Sequence, residues 1–109
     1  MKTSLICTTG LFALLLVSGT ARADDYVITL KGNQFAPQQL VIPAKQKVKI
    51  TVKNLDATPA EFESYELNRE KVVAAHSEVI VFVGPLDPGN YSFFDDFHRD
   101  TTKGVITAK

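Results

Sequence analysis

"LDPGNYSFFDDFHRDTTKG", Leu86 to Gly104, is the stretch on which the reading of this chain turns. It opens with Leu-x-Pro-Gly-x-Tyr, the form of a tyrosine corner. In that motif a tyrosine hydroxyl bonds backbone a few residues upstream and pins a Greek-key crossover. Pro88 and Gly89 supply the turn dihedrals, so Tyr91 has an architectural role. "YSFF" then reads as a strand. Two aspartates and a histidine follow it: Asp95, Asp96 and His98.

Upstream, the same two-residue period recurs. "YVITLK" sets Tyr26, Ile28 and Leu30 on one face. "KVKITVKN" sets Val48, Ile50 and Val52 on one face and Lys47, Lys49, Thr51 and Lys53 on the other. "EVIVFVG" opposes Val79, Val81 and Val83 to Ile80 and Phe82, and "GVITA" closes the chain. These runs are short, rich in β-branched and aromatic residues, and separated by Pro, Gly, Asn and Asp. "YELNREKVV" is the nearest approach to a helical stripe and reads as an irregular or strand-forming crossing. About seven strands in one domain predict an all-β, Greek-key antiparallel β-sandwich.

The N-terminus has the three parts of a secretory signal peptide: Lys2, the apolar run "LFALLLVSG", and "ARA" ending at Ala23. The apolar run is too short for a stable membrane anchor. Cleavage after Ala23 removes 23 of 109 residues and leaves 86, enough for one domain over 24–109. It also removes Cys7 and Met1, the only cysteine and the only methionine. The exported chain thus has no disulfide and no sulfur ligand, and holds together by packing. Loss of Lys2 and Arg22 leaves ten basic residues against twelve acidic ones, a net charge of about −2. That balance offers no surplus for nucleic acid, and the sequence has no polybasic lipid-binding run. The lysines of "KQKVKITVK" alternate with apolar residues and read as the wet face of a strand.

Three stretches resemble the cupredoxins, across nearly the whole exported length. "NQFAPQQLVIPAKQKVKITVKN" is similar to the opening of that family's sandwich. "NLDATPAEFES" stands where the family brings in its first histidine ligand. The Leu86–Gly104 stretch is similar in spacing to the terminal Y-x-F-x-C-x-x-H-x-x-x-x-M loop. The ligands themselves have changed. Ala60 or Glu61 stands at the first-histidine position, Asp95 at the cysteine, and Thr102 or Lys103 at the methionine; only His98 is kept. A blue copper centre needs a copper–thiolate bond, so a chain without a thiol has no such centre. The closer resemblance, carried by "TPAEFES" and "YSFFDDFHRDTTKG", is to EfeO-type cupredoxin-like domains. These are periplasmic proteins linked to iron uptake, with acidic residues at the ligand end.

The resemblance implies that the Glu61–Glu63 segment and the last loop meet at one end of the sandwich. With Phe62 and Phe94 pointing into the core, period two turns Glu61, Glu63 and Asp95 away from it. The expected metal ligands are His98, Glu61, Asp95, Asp96, Glu63 and Glu66. Carboxylates with one imidazole suit iron, manganese or a type 2 copper ion and disfavour Cu(I). Clustered carboxylates repel one another, which predicts raised carboxyl pKa values in the metal-free site. His76 reads as a surface turn residue. Arg99 and Lys103 balance the loop's charge or steer an anionic chelate.

The implied function is a periplasmic accessory protein that binds an iron or copper ion and serves iron uptake. Its implied partner is a membrane iron permease or a periplasmic iron-binding protein. A copper carrier and a metal-free interaction module are the alternatives. No nucleophile–base motif indicates a free-standing enzyme. Any iron oxidation would depend on a partner to take the electron.

Overall fold

The computed structural model describes residues 26–109. The expected signal peptide and its cleavage position lie outside the described residues. The strands are β1 (Tyr26–Lys31), β2 (Gln34–Ala36), β3 (Gln39–Ile42), β4 (Val48–Asn54), β5 (Ala60–Ser64), β6 (Arg69–Val73), β7 (Glu78–Val83), β8 (Gly89–Asp95) and β9 (Lys103–Ala108). A 3-10 turn, Asp96–His98, leads from β8 toward β9. One sheet has the order β2-β1-β4-β7 and the other β3-β9-β8-β5-β6.

The all-β sandwich expected from the sequence is the fold. The described residues form nine strands where the periodicity predicts about seven. The stretch before Ile42 divides at Pro37 into β2 and β3, which belong to different sheets, and "REKVV" adds β6. Both sheets are mixed: β1–β4 and β3–β9 are parallel, and the remaining pairs are antiparallel.

The core lies where alternation places it. Ile28, Leu30, Val48, Ile50, Val52, Val81 and Val83 face inward from the first sheet. Phe62, Phe93, Ile106 and Ile42 face them from the second. Each such side chain contributes about 1.5–3 kcal/mol on burial. Phe93 is the centre of an aromatic trio. Its ring lies 4.9 Å from Phe35, edge-on, and 5.1 Å from Phe62, stacked. Gly104 sits opposite Phe93 in the β8–β9 register. A Cβ there would lie 2.8 Å from Phe93 Cε1 and 3.0 Å from the Gln38 carbonyl, so only glycine lets the ring lie flat.

Local bonds fix the connections. The Tyr91 hydroxyl donates to the Asp87 carbonyl at 2.8 Å, which is the tyrosine corner read from the sequence. β1 and β2 are joined by Gly32 and Asn33, both at positive φ (61° and 59°), as a two-residue hairpin turn requires. Their amides donate to the Asp56 carboxylate at 2.7 and 3.0 Å. Asn54, fully buried, donates its amide to the Thr58 carbonyl at 2.8 Å and accepts from Asp56 N at 3.0 Å. That side chain holds the β4–β5 connection in place. Where the two sheets leave edges β6 and β7 side by side, Arg69 Nε donates to the Phe82 carbonyl at 2.7 Å.

Candidate metal centre

β5 carries the acidic residues because it alternates apolar-in and acidic-out. Ala60, Phe62 and Ser64 point to the core side, and Glu61 and Glu63 to the outer face of the five-stranded sheet. The turn 65–68 folds the chain back on itself. Ser64 Oγ anchors it by accepting from Leu67 N at 3.1 Å and donating to the Ser92 carbonyl at 2.7 Å. The returning strand β6 places Glu70 directly opposite Glu63 and Val72 opposite Glu61. Ligand oxygens of Glu61, Glu63 and Glu70 all lie within 4.8 Å of one another.

Glu61 and Glu63 are each only 9% exposed, while Glu70 is exposed. Among the described residues no N–H or hydroxyl donor bonds either buried carboxyl. Their neighbours are other acids. The Glu61 carboxyl is pushed up to about 7, first by sharing a hydrogen bond with Glu70, then by burial, by the Glu70 charge and by Asp96. Glu63 is also raised, first by burial and then by the charges of Glu70 and Asp96, with Arg99 acting in the opposite direction. The raised values that clustering predicts are therefore present at Glu61 and Glu63.

Asp96 leans toward this cluster from the 3-10 turn. Arg99 pairs with Asp96 on its outer side and donates to the Tyr65 hydroxyl at 3.3 Å. The same guanidinium lies 5.1 Å above the Phe94 ring, and Tyr65 meets that ring edge-on at 5.4 Å. Arg99 thus balances the charge of Asp96, one of the two roles the sequence left open for it.

Asp95 is placed otherwise than the sequence reading expects. Phe93, not Phe94, enters the core, so Asp95 faces inward with Phe93 and is fully buried. The register confirms it, because Asp95 stands opposite Phe62. Phase in β8 is set by Tyr91, which the tyrosine corner fixes against the core; Phe93 and Asp95 follow at two-residue steps. The Asp95 carboxylate is committed to protein donors. Oδ1 accepts from Glu61 N at 2.9 Å and from Phe97 N at 3.0 Å, and Oδ2 pairs with His98 Nδ1 at 2.9 Å. It caps the 3-10 turn and extends the β8–β5 pairing by one bond.

His98 is about one-third exposed, and its Nδ1 contact with Asp95 leaves Nε2 directed elsewhere. A carboxylate behind an imidazole is how proteins orient a ligating histidine. The nearby Asp56 carboxyl is held below the usual range chiefly by the Asn33 and Gly32 amides. His98 is not among the groups that converge with Glu61 and Glu63. Glu66 lies apart as well: its Oε1 accepts from Ser92 N at 2.6 Å and from Ser92 Oγ at 3.2 Å. His76 occupies a turn at positive φ (53°), the surface position its sequence context suggests.

Of the six residues expected to bind metal, the structure brings Glu61 and Glu63 together on one sheet face, with Asp96 acting on both from the adjoining 3-10 turn. It buries Asp95 on the core side, leaves His98 part-exposed against Asp95 on the 3-10 turn, and sets Glu66 over β8. Glu70 completes the cluster and is absent from the sequence reading. The signal for it was present: a hairpin turn between "EFES" and "REKVV" pairs Glu63 with Glu70.

Comparison with known proteins agrees with this architecture. Residues 4–108 match the family model of the cupredoxin-like domain. An uncharacterized protein of Rickettsia prowazekii (strain Madrid E) is 35% identical over 109 residues, covering 94% of this chain and 87% of that protein. Among solved structures, the chain is similar to the purple cupredoxin of Nitrosopumilus maritimus (TM-score 0.62, 21% identity, 78% of this chain and 100% of that one). It is also similar to auracyanin A, a "blue" copper protein of Chloroflexus aurantiacus (TM-score 0.67, 15% identity, 78% of this chain and 98% of that one).

Proposed function

We propose that this chain, which belongs to the cupredoxin-like domain family, is an exported accessory protein that binds iron as cargo and passes it to an iron-uptake partner. The observation that carries the reading is the convergence of the Glu61, Glu63 and Glu70 carboxyls within 4.8 Å. Two of these are buried beside other acids, so ionising the metal-free cluster costs repulsion that a bound cation relieves. A blue copper centre needs a soft thiolate, and residues 24–109 contain neither cysteine nor methionine. An all-oxygen set favours a hard ion, Fe(III) above Fe(II), with type 2 copper as the competing occupant.

Glu61, Glu63 and Glu70 would hold the ion, and Asp96 would join them by exchanging its contact with Arg99. Arg99, anchored on Tyr65 and Phe94, would keep the loop aligned while it does so. His98, oriented by Asp95, would remain free for a second role at the rim. The EfeO-type resemblance of "TPAEFES" and the last loop supports the iron pathway, the periplasmic location and a membrane permease or periplasmic iron-binding protein as recipient.

Calorimetric titration of residues 24–109 with Mn(II), Cu(II), Fe(II) and ferric citrate tests the reading. Saturable binding of about one hard ion per chain is expected, weakened at least tenfold by Glu63→Gln or Glu70→Gln and unaffected by Glu66→Gln. No saturable binding to any of them would sink it.

A further inference from the structure

The acidic cluster occupies the outer face of one sheet. The outer face of the other carries the opposite sign. β1, β4 and β7 turn Val27, Thr29 and Lys31, then Lys49, Thr51 and Lys53, then Glu78, Ile80 and Phe82 to that face. Lys47 joins them, its Nζ 4.8 Å above the Phe82 ring. Four lysines thus meet one glutamate there. Among the described residues none of these lysines forms an ion pair; Lys45, on a separate turn, is the lysine that does. Between the lysines stand exposed apolar side chains: Val27 at 39%, Ile80 at 42% and Phe82 at 46%.

We propose that this four-stranded sheet face docks on an anionic lipid surface, with the acidic cluster directed away from it. Charge complementarity selects an anionic partner. Three features favour lipid over an acidic protein. The cations on the face are lysines, which protein–protein interfaces deplete; Arg69 reaches only the margin of the face, at the Phe82 carbonyl, and Arg99 lies on the other sheet's loop. The apolar side chains are separated by lysines instead of forming the dry centre a protein interface needs. A sheet face is broad and shallow, matching a headgroup layer into which lysine stems and single apolar side chains settle. Each unpaired lysine near such a surface raises partitioning roughly fivefold, so a net of three charges gives roughly a hundredfold. The opposite face gains nothing from that surface, because its carboxylates are repelled. The molecule therefore has one electrostatically favoured orientation.

This inference is independent of metal binding. Residues 24–109 hold every strand and core residue described, so that chain is the unit to use. It is sedimented with vesicles of phosphatidylethanolamine and phosphatidylglycerol, and with neutral phosphatidylcholine vesicles, at about 50 mM and about 0.5 M salt. Binding is expected to the anionic vesicles alone, at low salt alone. The paired change Lys49→Glu with Lys53→Glu is expected to abolish it, and Phe82→Ser to weaken it severalfold. Glu63→Gln is expected to leave it intact, which separates this test from that of the metal site. Equal sedimentation with both vesicle types, or no salt dependence for the unaltered chain, would overturn the proposal whatever the variants do. If anionic vesicles fail but polyglutamate perturbs the lysine signals in NMR spectra, the face binds acidic protein and the lipid proposal is likewise overturned.

Discussion

Asp95 stands where the resemblance places a copper-binding thiolate, and it has become an internal brace. One oxygen gathers two amides from separate elements, and the other holds an imidazole. Removing a buried acceptor strands its donors, at about 1–3 kcal/mol. Asp95→Ala is therefore expected to lower unfolding stability by that amount in urea titration, while titration with Mn(II) still shows the Glu61 cluster binding. The Glu61 carboxyl gives a second prediction. Its folded value of about 7 exceeds its ordinary 4.5, so the folded chain holds the proton more tightly than the unfolded chain. That contribution is complete below the ordinary value and is lost as pH rises through about 7. The urea midpoint of the metal-free protein is expected to fall across this window. Excess Mn(II) is expected to cancel much of the fall, and Glu61→Gln to flatten it.

At the scale of elements, the core strands were legible and the acidic hairpin only partly so. β4 declares its buried face because valine and isoleucine alternate with lysine and threonine, whereas β7 alternates valine with Glu78, Ile80 and Phe82 and shows its phase less sharply. β8 has two adjacent phenylalanines, and apolarity alone does not choose between them. Tyr91 does choose, since the tyrosine corner sets the phase that buries Phe93 and Asp95 together. Glu70 escaped notice because "REKVV" is exposed at four of its five positions, so no burial pattern marks its register. Like charges placed directly opposite across a strand pair are destabilising, which makes the Glu63–Glu70 pairing a functional cue. Glu70→Lys is expected to raise stability by roughly 0.2–1 kcal/mol while abolishing metal binding, both read on one purified variant. The β8–β9 pairing has the opposite sensitivity. Gly104→Val would force the Phe93 ring from its place between Phe35 and Phe62. A loss of about 1–3 kcal/mol is expected in thermal or urea unfolding.

For the whole molecule, the two layers divide their work by outer face: carboxylates on one, lysines on the other, and an apolar filling shared between them. Composition reports only a near-neutral chain, because it averages over both faces. The separation emerges once alternation assigns each strand an inside and an outside. Each sheet ends in two edge strands, β2 and β7 in one, β3 and β6 in the other, and at one seam between the layers β6 and β7 run side by side. Strand β7 carries Val79, Ile80, Val81 and Phe82 in succession, a tract that another extended segment would readily join. The Arg69 guanidinium already occupies the Phe82 carbonyl. An incoming strand must evict that cation before its first rung can form. Arg69→Ala removes this lock, and light scattering during incubation at micromolar concentration is expected to reveal faster self-association. A single side chain is thus a guard against fibrous growth at the edge strand richest in apolar residues.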